Sequence, residues 1–379
     1  MERLEEKLSG LSIARRSRPE EPTYLLDLAQ QPAGLLAVSC SNFTIHLHNK
    51  DTLSLVGEYR GHGGPLCGVV FSHASPDLLY SGSADGTVRG WDVRRPGSEA
   101  AQLFKGEPSH SFSSFDLNCS DTLLCAGTEQ VNEEDSYLVF WDARKPAGRL
   151  LGVYSESHSD DVTQVRFHPG DKDRLASSST DGLVNVFDLS RGAEEEALLA
   201  TCNSDSSVGA VCWTGAQYTQ LLCLSHDEGL HLWDLASQNT DEPLTVFSTS
   251  DARSLALLPD GGGGVDYLVG GRWLEDAQKL LVVGGKNGGD LHLMECDDRG
   301  LRLLRSLQGG HAATVRCFLW DAAAETLVTG GEDAQLLLWK PGGEELTAAK
   351  RESMKSQSAL RLKSRPHKKH GYQKEKKEA

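Results

Sequence analysis

A nucleophile, a general base and an orienting acid need serine, histidine and aspartate, and the chain places His62, Ser81 and Asp85 in one short stretch. The same set returns as His158, Ser177 and Asp181, and again as His311, Thr329 and Asp333. Each Asp stands four residues after the Ser or Thr and six before an aromatic: Trp91, Phe187 or Trp339. The histidines precede that aromatic by 29, 29 and 28 residues. Hydrolysis needs one such set, exposed at a pocket, whereas three copies in step describe a repeated structural unit. No catalytic residue is assigned, and the chain is read as a non-enzyme.

Other chemistry-bearing groups reduce in the same way. His46 and His48 lie on one side of a strand, as alternation requires, and a His-x-His pair can hold a metal. No third ligand stands at metal spacing, and His231 and His292 occupy matching Leu-His-Leu segments, so the position belongs to the repeat. The nine cysteines are scattered singly, without a Cys-x-x-Cys pair, and read as reduced, mostly buried thiols. Gly284 to Gly289 with Lys286 superficially suggests a phosphate loop, but the Gly-Lys-Ser/Thr ending is absent and no helix follows, so a hairpin is expected. Neither a metal nor a cofactor is expected.

The elements that position these residues follow from the repeat. Aligning the aromatic slot with its local strand pattern gives seven copies: His48, Trp91, Trp141, Phe187, Trp233, Met294 and Trp339, spaced by 43, 50, 46, 46, 61 and 45 residues. Apolar runs at Leu35 to Cys40, Leu78 to Ser81, Leu123 to Ala126, Leu221 to Leu224, Leu280 to Val283 and Thr326 to Val328 have strand length and fit inner strands buried on both faces. Asp85-Gly86 and Asp181-Gly182 sit where tight hairpin turns need positive φ. The longest interval holds Asp260 to Gly264 and Arg272 to Lys279, which read as surface loops.

A period of roughly 40–45 residues carrying Gly-His and Trp-Asp marks resembles the WD-repeat family of β-propellers. The resemblance rests on Gly61-His62, Ser157-His158 and Gly310-His311, together with Ser81 to Asp92, Ser177 to Asp188 and Thr329 to Lys340. It implies an all-β fold: a seven-bladed propeller closed by an N-terminal strand, for which Leu11 to Arg16 has the right size, followed by a disordered basic tail. The expected organisation is a lead over 1–10, the propeller over 11–343 and the tail over 344–379. It also implies buried polar tetrads, indole to hydroxyl to imidazole to carboxylate: Trp91, Ser81, His62 and Asp85 in blade two, and Trp339, Thr329, His311 and Asp333 in blade seven. Blade four has Phe187 in place of the indole, with Ser177, His158 and Asp181 retained. In blade five Cys223 replaces the hydroxyl, and no histidine aligns. Blade three carries the polar insertion Glu129 to Ser136, expected to project from one face with Glu133-Glu134-Asp135 on it as a solvated loop or a contact site.

Two Trp-Asp pairs continue as Trp91-Asp92-Val93-Arg94 and Trp141-Asp142-Ala143-Arg144. This Trp-Asp-x-Arg box is similar to the one by which some family members dock on the DNA-damage-binding adaptor of cullin-4 ubiquitin ligases. The first copy matches from Leu78 to Arg94, whereas the insertion before Trp141 breaks the second. Both arginines are expected at the turn leaving the third strand, on one rim, either as adaptor contacts or as soluble turn residues.

The formal charge of −16 is divided. From Lys350 to Ala379 the net charge is +8, leaving −24 on residues 1–349. The tail is too polar to bury a core. Arg361, Lys363, Arg365, Lys368, Lys369, Lys374, Lys376 and Lys377 read as a nuclear import signal, an RNA-contacting arm or a solubilising tail. The acidic ring repels duplex nucleic acid and attracts basic protein segments. At the other end, Leu4, Leu8 and Leu11 fall on one helical side, and no run long enough for a signal peptide or a membrane span follows. The expectation is an intracellular, monomeric scaffold without membrane contact, in the nucleus with the cytoplasm as the alternative, that binds a partner protein through rim and loops. The alternative is the substrate receptor of a cullin-4-type ligase.

Overall fold

The computed structural model describes residues 4–31, 33–97, 99–132, 134–145, 148–236, 243–255 and 264–343. Twenty-eight strands form seven four-stranded antiparallel sheets. Blade one comprises Leu25–Gln30, Leu35–Cys40, Ile45–Asn49 and Leu55–Tyr59; blade two Leu66–Phe71, Leu78–Ser83, Thr87–Asp92 and Gln102–Lys105. Blade three follows with Phe112–Leu117, Leu123–Thr128, Ser136–Asp142 and Arg149–His158, and blade four with Val162–Phe167, Arg174–Ser179, Leu183–Asp188 and Leu198–Asn203. Blade five holds Val208–Thr214, Gln220–Ser225, Leu230–Asp234 and Leu244–Thr249; blade six Tyr267–Leu274, Lys279–Gly285, Leu291–Asp297 and Gly300–Leu307. Val315–Asp321, Thr326–Gly331 and Leu336–Pro341 make three strands of blade seven, and Leu11–Ser17 supplies the fourth.

Every first strand touches the first strands of both neighbouring blades, so the ring closes and the first strands line its axis. Closure through Leu11–Ser17 pairs Ile13 with Trp339 and Ser17 with Leu336, so the N-terminal strand covers Leu336–Pro341 and becomes the outer strand of blade seven. Ahead of it, the short helix Leu4–Ser9 buries Leu4 and Leu8 in the core shared by blades six and seven, beside Leu11. Leu11 itself lies in the strand, so the helical pattern ends one turn earlier than its leucine spacing suggests.

The apolar runs read from the sequence are the second strands of their blades, buried on both faces. They are not innermost: the first strands alternate buried and half-buried residues because one edge of them faces the axis. The register explains the slot alignment. In blades one, three, four, five and six the pairing of the third with the fourth strand slips immediately before His48, Trp141, Phe187, Trp233 and Met294. Met294 therefore holds the aromatic's place in blade six.

Two loop readings are corrected. Arg272 to Lys279 is not a surface loop: Arg272 to Leu274 complete the first strand of blade six and Lys279 opens the second, leaving only 275–278 as a turn. Leu274 is buried in the core of blades six and seven, which outweighs the polar neighbours that suggested a loop. Ser136 likewise belongs to the third strand of blade three, and Val131 within the insertion is buried. Residues 260–263 and Glu133 lie outside the described residues, as does the whole 344–379 segment. Gly284 to Gly289 does form the hairpin between the second and third strands of blade six.

Candidate functional site: buried tetrads, rims and an acidic face

The three sets of Ser or Thr, His and Asp are each brought together at the end of the ring where the second strand turns into the third. In blade two Trp91 Nε1 donates to Ser81 Oγ at 2.8 Å, Ser81 Oγ lies 2.8 Å from His62 Nε2, and His62 Nδ1 lies 3.0 Å from Asp85 Oδ2. Blade seven repeats the chain: Trp339 Nε1 to Thr329 Oγ1 at 2.9 Å, Thr329 to His311 Nε2 at 2.8 Å, His311 Nδ1 to Asp333 Oδ1 at 3.0 Å. Blade four keeps His158 at 2.7 Å from Ser177 and 3.1 Å from Asp181, with the Phe187 ring where the indole would be.

The direction of donation follows from the groups themselves. A carboxylate can only accept, so Nδ1–H donates to it; Nε2 of that tautomer accepts from the hydroxyl O–H, and the hydroxyl oxygen accepts from the indole N–H where one is present. Ser81, Ser177 and Thr329 are fully buried and the imidazoles nearly so, which removes the hydroxyls from any substrate. Burial by itself would raise the carboxyls of Asp85, Asp181 and Asp333. Hydrogen bonds from the histidines and from the backbone N–H groups of Gly63, Leu183, Ser159 and Ala312 outweigh it and hold all three below the usual carboxylate range. The sets are satisfied networks that tie the connection between blades to the hairpin of the next.

Where the tetrad decays, the register shows how. The slot of Ser81 is Ala126 in blade three, and there the buried indole Nε1 of Trp141 has no partner. Cys223 holds that slot in blade five, paired across from His231. His46, His231 and His292 all sit two residues before the aromatic slot and are buried. His231 and His292 bond Ser248 and Ser306 on the fourth strand, each at 2.9 Å, and His46 meets Thr44 at 3.2 Å. Among the described residues no group of three or more His, Cys, Asp or Glu could hold a metal ion. All nine cysteines are free thiols, and each lies singly in its strand or loop.

Arg94 and Arg144 emerge at the turns after the third strands of blades two and three, with side chains 65% and 64% exposed. Each fork closes on the Asp of its own motif: Arg94 Nε and Nη2 on Asp92 at 2.9 and 2.7 Å, Arg144 Nε and Nη2 on Asp142 at 2.7 and 2.9 Å. The pairing holds the carboxyls of Asp92 and Asp142 down at about 2. Arg253 clasps Asp251 in the same bidentate way in the connection between blades five and six, so Asp-x-Arg is also a local turn clamp.

Sequence reading missed the groups that join neighbouring first strands. Asp27 Oδ2 accepts from Val69 N at 3.0 Å, Ser114 Oγ from Val165 N at 3.0 Å and Gln164 Oε1 from Val211 N at 3.0 Å. All three stand at the residue just after the bulge in a first strand. Asp116 adds a bond from Phe167 N at 2.7 Å, and Tyr267 OH accepts from Val315 N at 2.7 Å. Burial raises the carboxyls of Asp27 and Asp116, and nearby Arg166 partly opposes the shift. No spacing rule marks these positions, because the residue types differ from blade to blade.

The connections between blades share one end of the ring with the turns between second and third strands. Over blades three to five, from Gly106 to Ser250, the described loops at that end carry Glu107, Glu129, Glu134, Asp135, Asp205 and Asp227, all exposed, and no Lys or Arg.

Known proteins place the chain. The family model for the WD domain, G-beta repeat, matches residues 53–92, 148–188 and 301–340. Each match begins at the fourth strand of one blade and ends with the third strand of the next, so the covalent repeat straddles neighbouring blades. WD repeat-containing protein GTS1 of Arabidopsis thaliana is 31% identical over 319 residues, covering 80% of this chain and 78% of its own. The WD repeat-containing protein 89 homolog of Dictyostelium discoideum is 28% identical over 320 residues, 84% and 83% of the two chains. An uncharacterized WD repeat-containing protein of Saccharomyces cerevisiae is 29% identical over 281 residues, 72% and 66%. WD-repeat propellers serve as platforms for protein interaction, and with seven blades in a closed ring and a WD-repeat relative 31% identical over 80% of its length, the chain belongs to the WD-repeat family.

Proposed function

We propose that this propeller is a non-enzymatic scaffold that holds a basic segment of a partner protein on the acidic loops of blades three to five. The observation that carries the reading is the set of exposed carboxylates on these described loops without a Lys or Arg among them, on turns fixed by hydrogen-bonded strands. A surface of one sign steers a basic partner and sets its orientation. The resemblance to WD repeat-containing protein 89 fits the same class of role and brings no catalytic residue with it. The basic residues from Arg361 to Lys377 are the part of the chain we assign to nuclear import. Proximity labelling in cells tests both parts. Reversing Glu134, Asp135, Asp205 and Asp227 to Lys is expected to remove the partners rich in basic segments, and truncation after Gly343 to remove nuclear enrichment. Unchanged partners in the first variant, or unchanged nuclear signal in the second, would overturn the corresponding part.

A second reading makes the chain the substrate receptor of a cullin-4-type ligase, favoured by one observation: Arg94 and Arg144 are both exposed on the rim opposite the acidic loops. Asp92 and Asp142 occupy the Nε–Nη2 edge of each guanidinium, and Asp77 stands 3.1 Å from Arg94 Nη1, so an adaptor carboxylate or carbonyl would displace these partners or meet the remaining N–H groups. Adaptor recovery that disappears in the Arg94→Ala, Arg144→Ala double variant supports it. Equal recovery with the double variant removes it.

A further inference from the structure

The fourth strands of blades one and three each carry a glycine at the same register, one residue before the pairing slip: Gly57 opposite Leu47, and Gly152 opposite Phe140. In blade one the space is filled. A Cβ on Gly57 would lie 2.3 Å from Cβ of Pro96, which arrives from the loop following the third strand of blade two. In blade three nothing lies within 4 Å of the corresponding Cβ position on Gly152. A depression of about 170 Å³ opens there over Phe140 and Leu123, walled by Leu151, Tyr154 and Leu189.

The corresponding loop of blade four lines the depression through Leu189 and Gly192, and Gly192 stands where blade two has Pro96, so no side chain fills it. Tyr154 OH donates to Gly192 O at 2.9 Å, and the Glu194 carboxylate accepts from the backbone N–H groups of Ser155 and Glu156 at 2.7 and 2.9 Å. These bonds cover the sheet edge at Ser155 and Glu156. Further along it, Leu150, Leu151 and Val153 remain 48%, 53% and 39% exposed, and Leu151 walls the depression. An open apolar edge is a template for another strand, and a glycine on it permits close approach of a second backbone. At one end of the edge stand the exposed carboxylates of Glu156, Glu195 and Glu196.

We propose that this edge of blade three binds an extended segment of a partner protein that inserts a proline or similarly compact apolar side chain at Gly152 and sets a basic residue against Glu156, Glu195 and Glu196. The size fits, since an apolar cavity of about 150 Å³ accepts a benzene ring. Pro96 at Gly57 is the internal precedent for the side chain, and the acidic end supplies the charge complementarity. The site lies on the outer circumference and is independent of the acidic loops proposed above.

The test uses the full chain and random peptides displayed on phage, selected on wild type and counter-selected on Gly152→Phe, which fills the depression from within. Enriched peptides should share a proline or aliphatic residue a few positions from Lys or Arg. A labelled consensus peptide should bind Gly152→Phe about tenfold or more weakly than wild type. The exposed pair Glu195→Lys, Glu196→Lys should show a similar loss, read by fluorescence anisotropy at matched thermal midpoints, and it keeps the test valid if Gly152→Phe folds poorly. Enrichment of acidic peptides, equal binding to both variants or no enrichment at all would overturn the proposal. So would a wild-type dimer in sedimentation that Gly152→Phe dissolves, because the occupant would then be a second copy of the chain.

Discussion

The indole of Trp339 donates to the hydroxyl of Thr329 at 2.9 Å across the second and third strands of blade seven, the blade that the N-terminal strand completes. The hydroxyl faces His311 as well, so one side chain satisfies two buried groups. Thr329→Val keeps the shape and leaves both unpaired, which should cost about 1–3 kcal/mol. Ser177→Ala in blade four should cost less, because Phe187 brings no N–H to be orphaned. Urea denaturation of the two variants checks the order; equal losses would mean that the indole bond contributes nothing.

Blade three offers the reverse experiment. The Trp141 indole N–H is buried without a partner, and Ala126 occupies the hydroxyl slot. Ala126→Ser should supply the acceptor and stabilise the protein by about 1 kcal/mol. A fall in stability would show that the slot in this blade is too tightly packed to take the hydroxyl.

Stability should fall steeply in acid, and the sign follows from the carboxyls. Asp85, Asp181 and Asp333 have folded pKa values below their unfolded value, about 3.9. Their contribution is complete above that pH and is lost as pH falls through the folded values. Asp27 and Asp116 act oppositely: burial raises their folded values, so protonation favours the folded chain as pH drops toward about 3.9. The triple Asp85→Asn, Asp181→Asn, Asp333→Asn variant should therefore lose the steep acid limb in a thermal-midpoint series against pH, and Asp27→Asn should not.

Removing residues 1–18 deletes the fourth strand of blade seven together with the buried Leu4, Leu8 and Leu11. The expected result is a chain that aggregates or loses its single cooperative transition, seen by scattering and calorimetry. Leu8→Ala alone should cost about 2–5 kcal/mol, as for other fully buried leucines. A deletion variant that melts as wild type does would show that closure carries no stability.

The blade count and the recurring Ser or Thr, His and Asp sets are legible in residue order because each depends on spacing within one repeat, whereas the closing strand and the bonding within each tetrad follow from the family resemblance. Ser81, Asp85 and Trp91 are joined by a single hairpin, so their separations are preserved wherever the hairpin is. The polar insertion of blade three and the first strand of blade six were misread at their edges, since burial of Ser136 and Leu274 comes from neighbouring elements and not from local pattern. The clasp from Asp27 to Val69, the filling of Gly57 by Pro96 and the capping of Ser155 by Glu194 were invisible in the sequence. Each joins residues of adjacent blades through side chains that differ at every junction. Only the packing of each blade against the next brings such pairs within reach, and between blades three and four that packing leaves the space at Gly152 open.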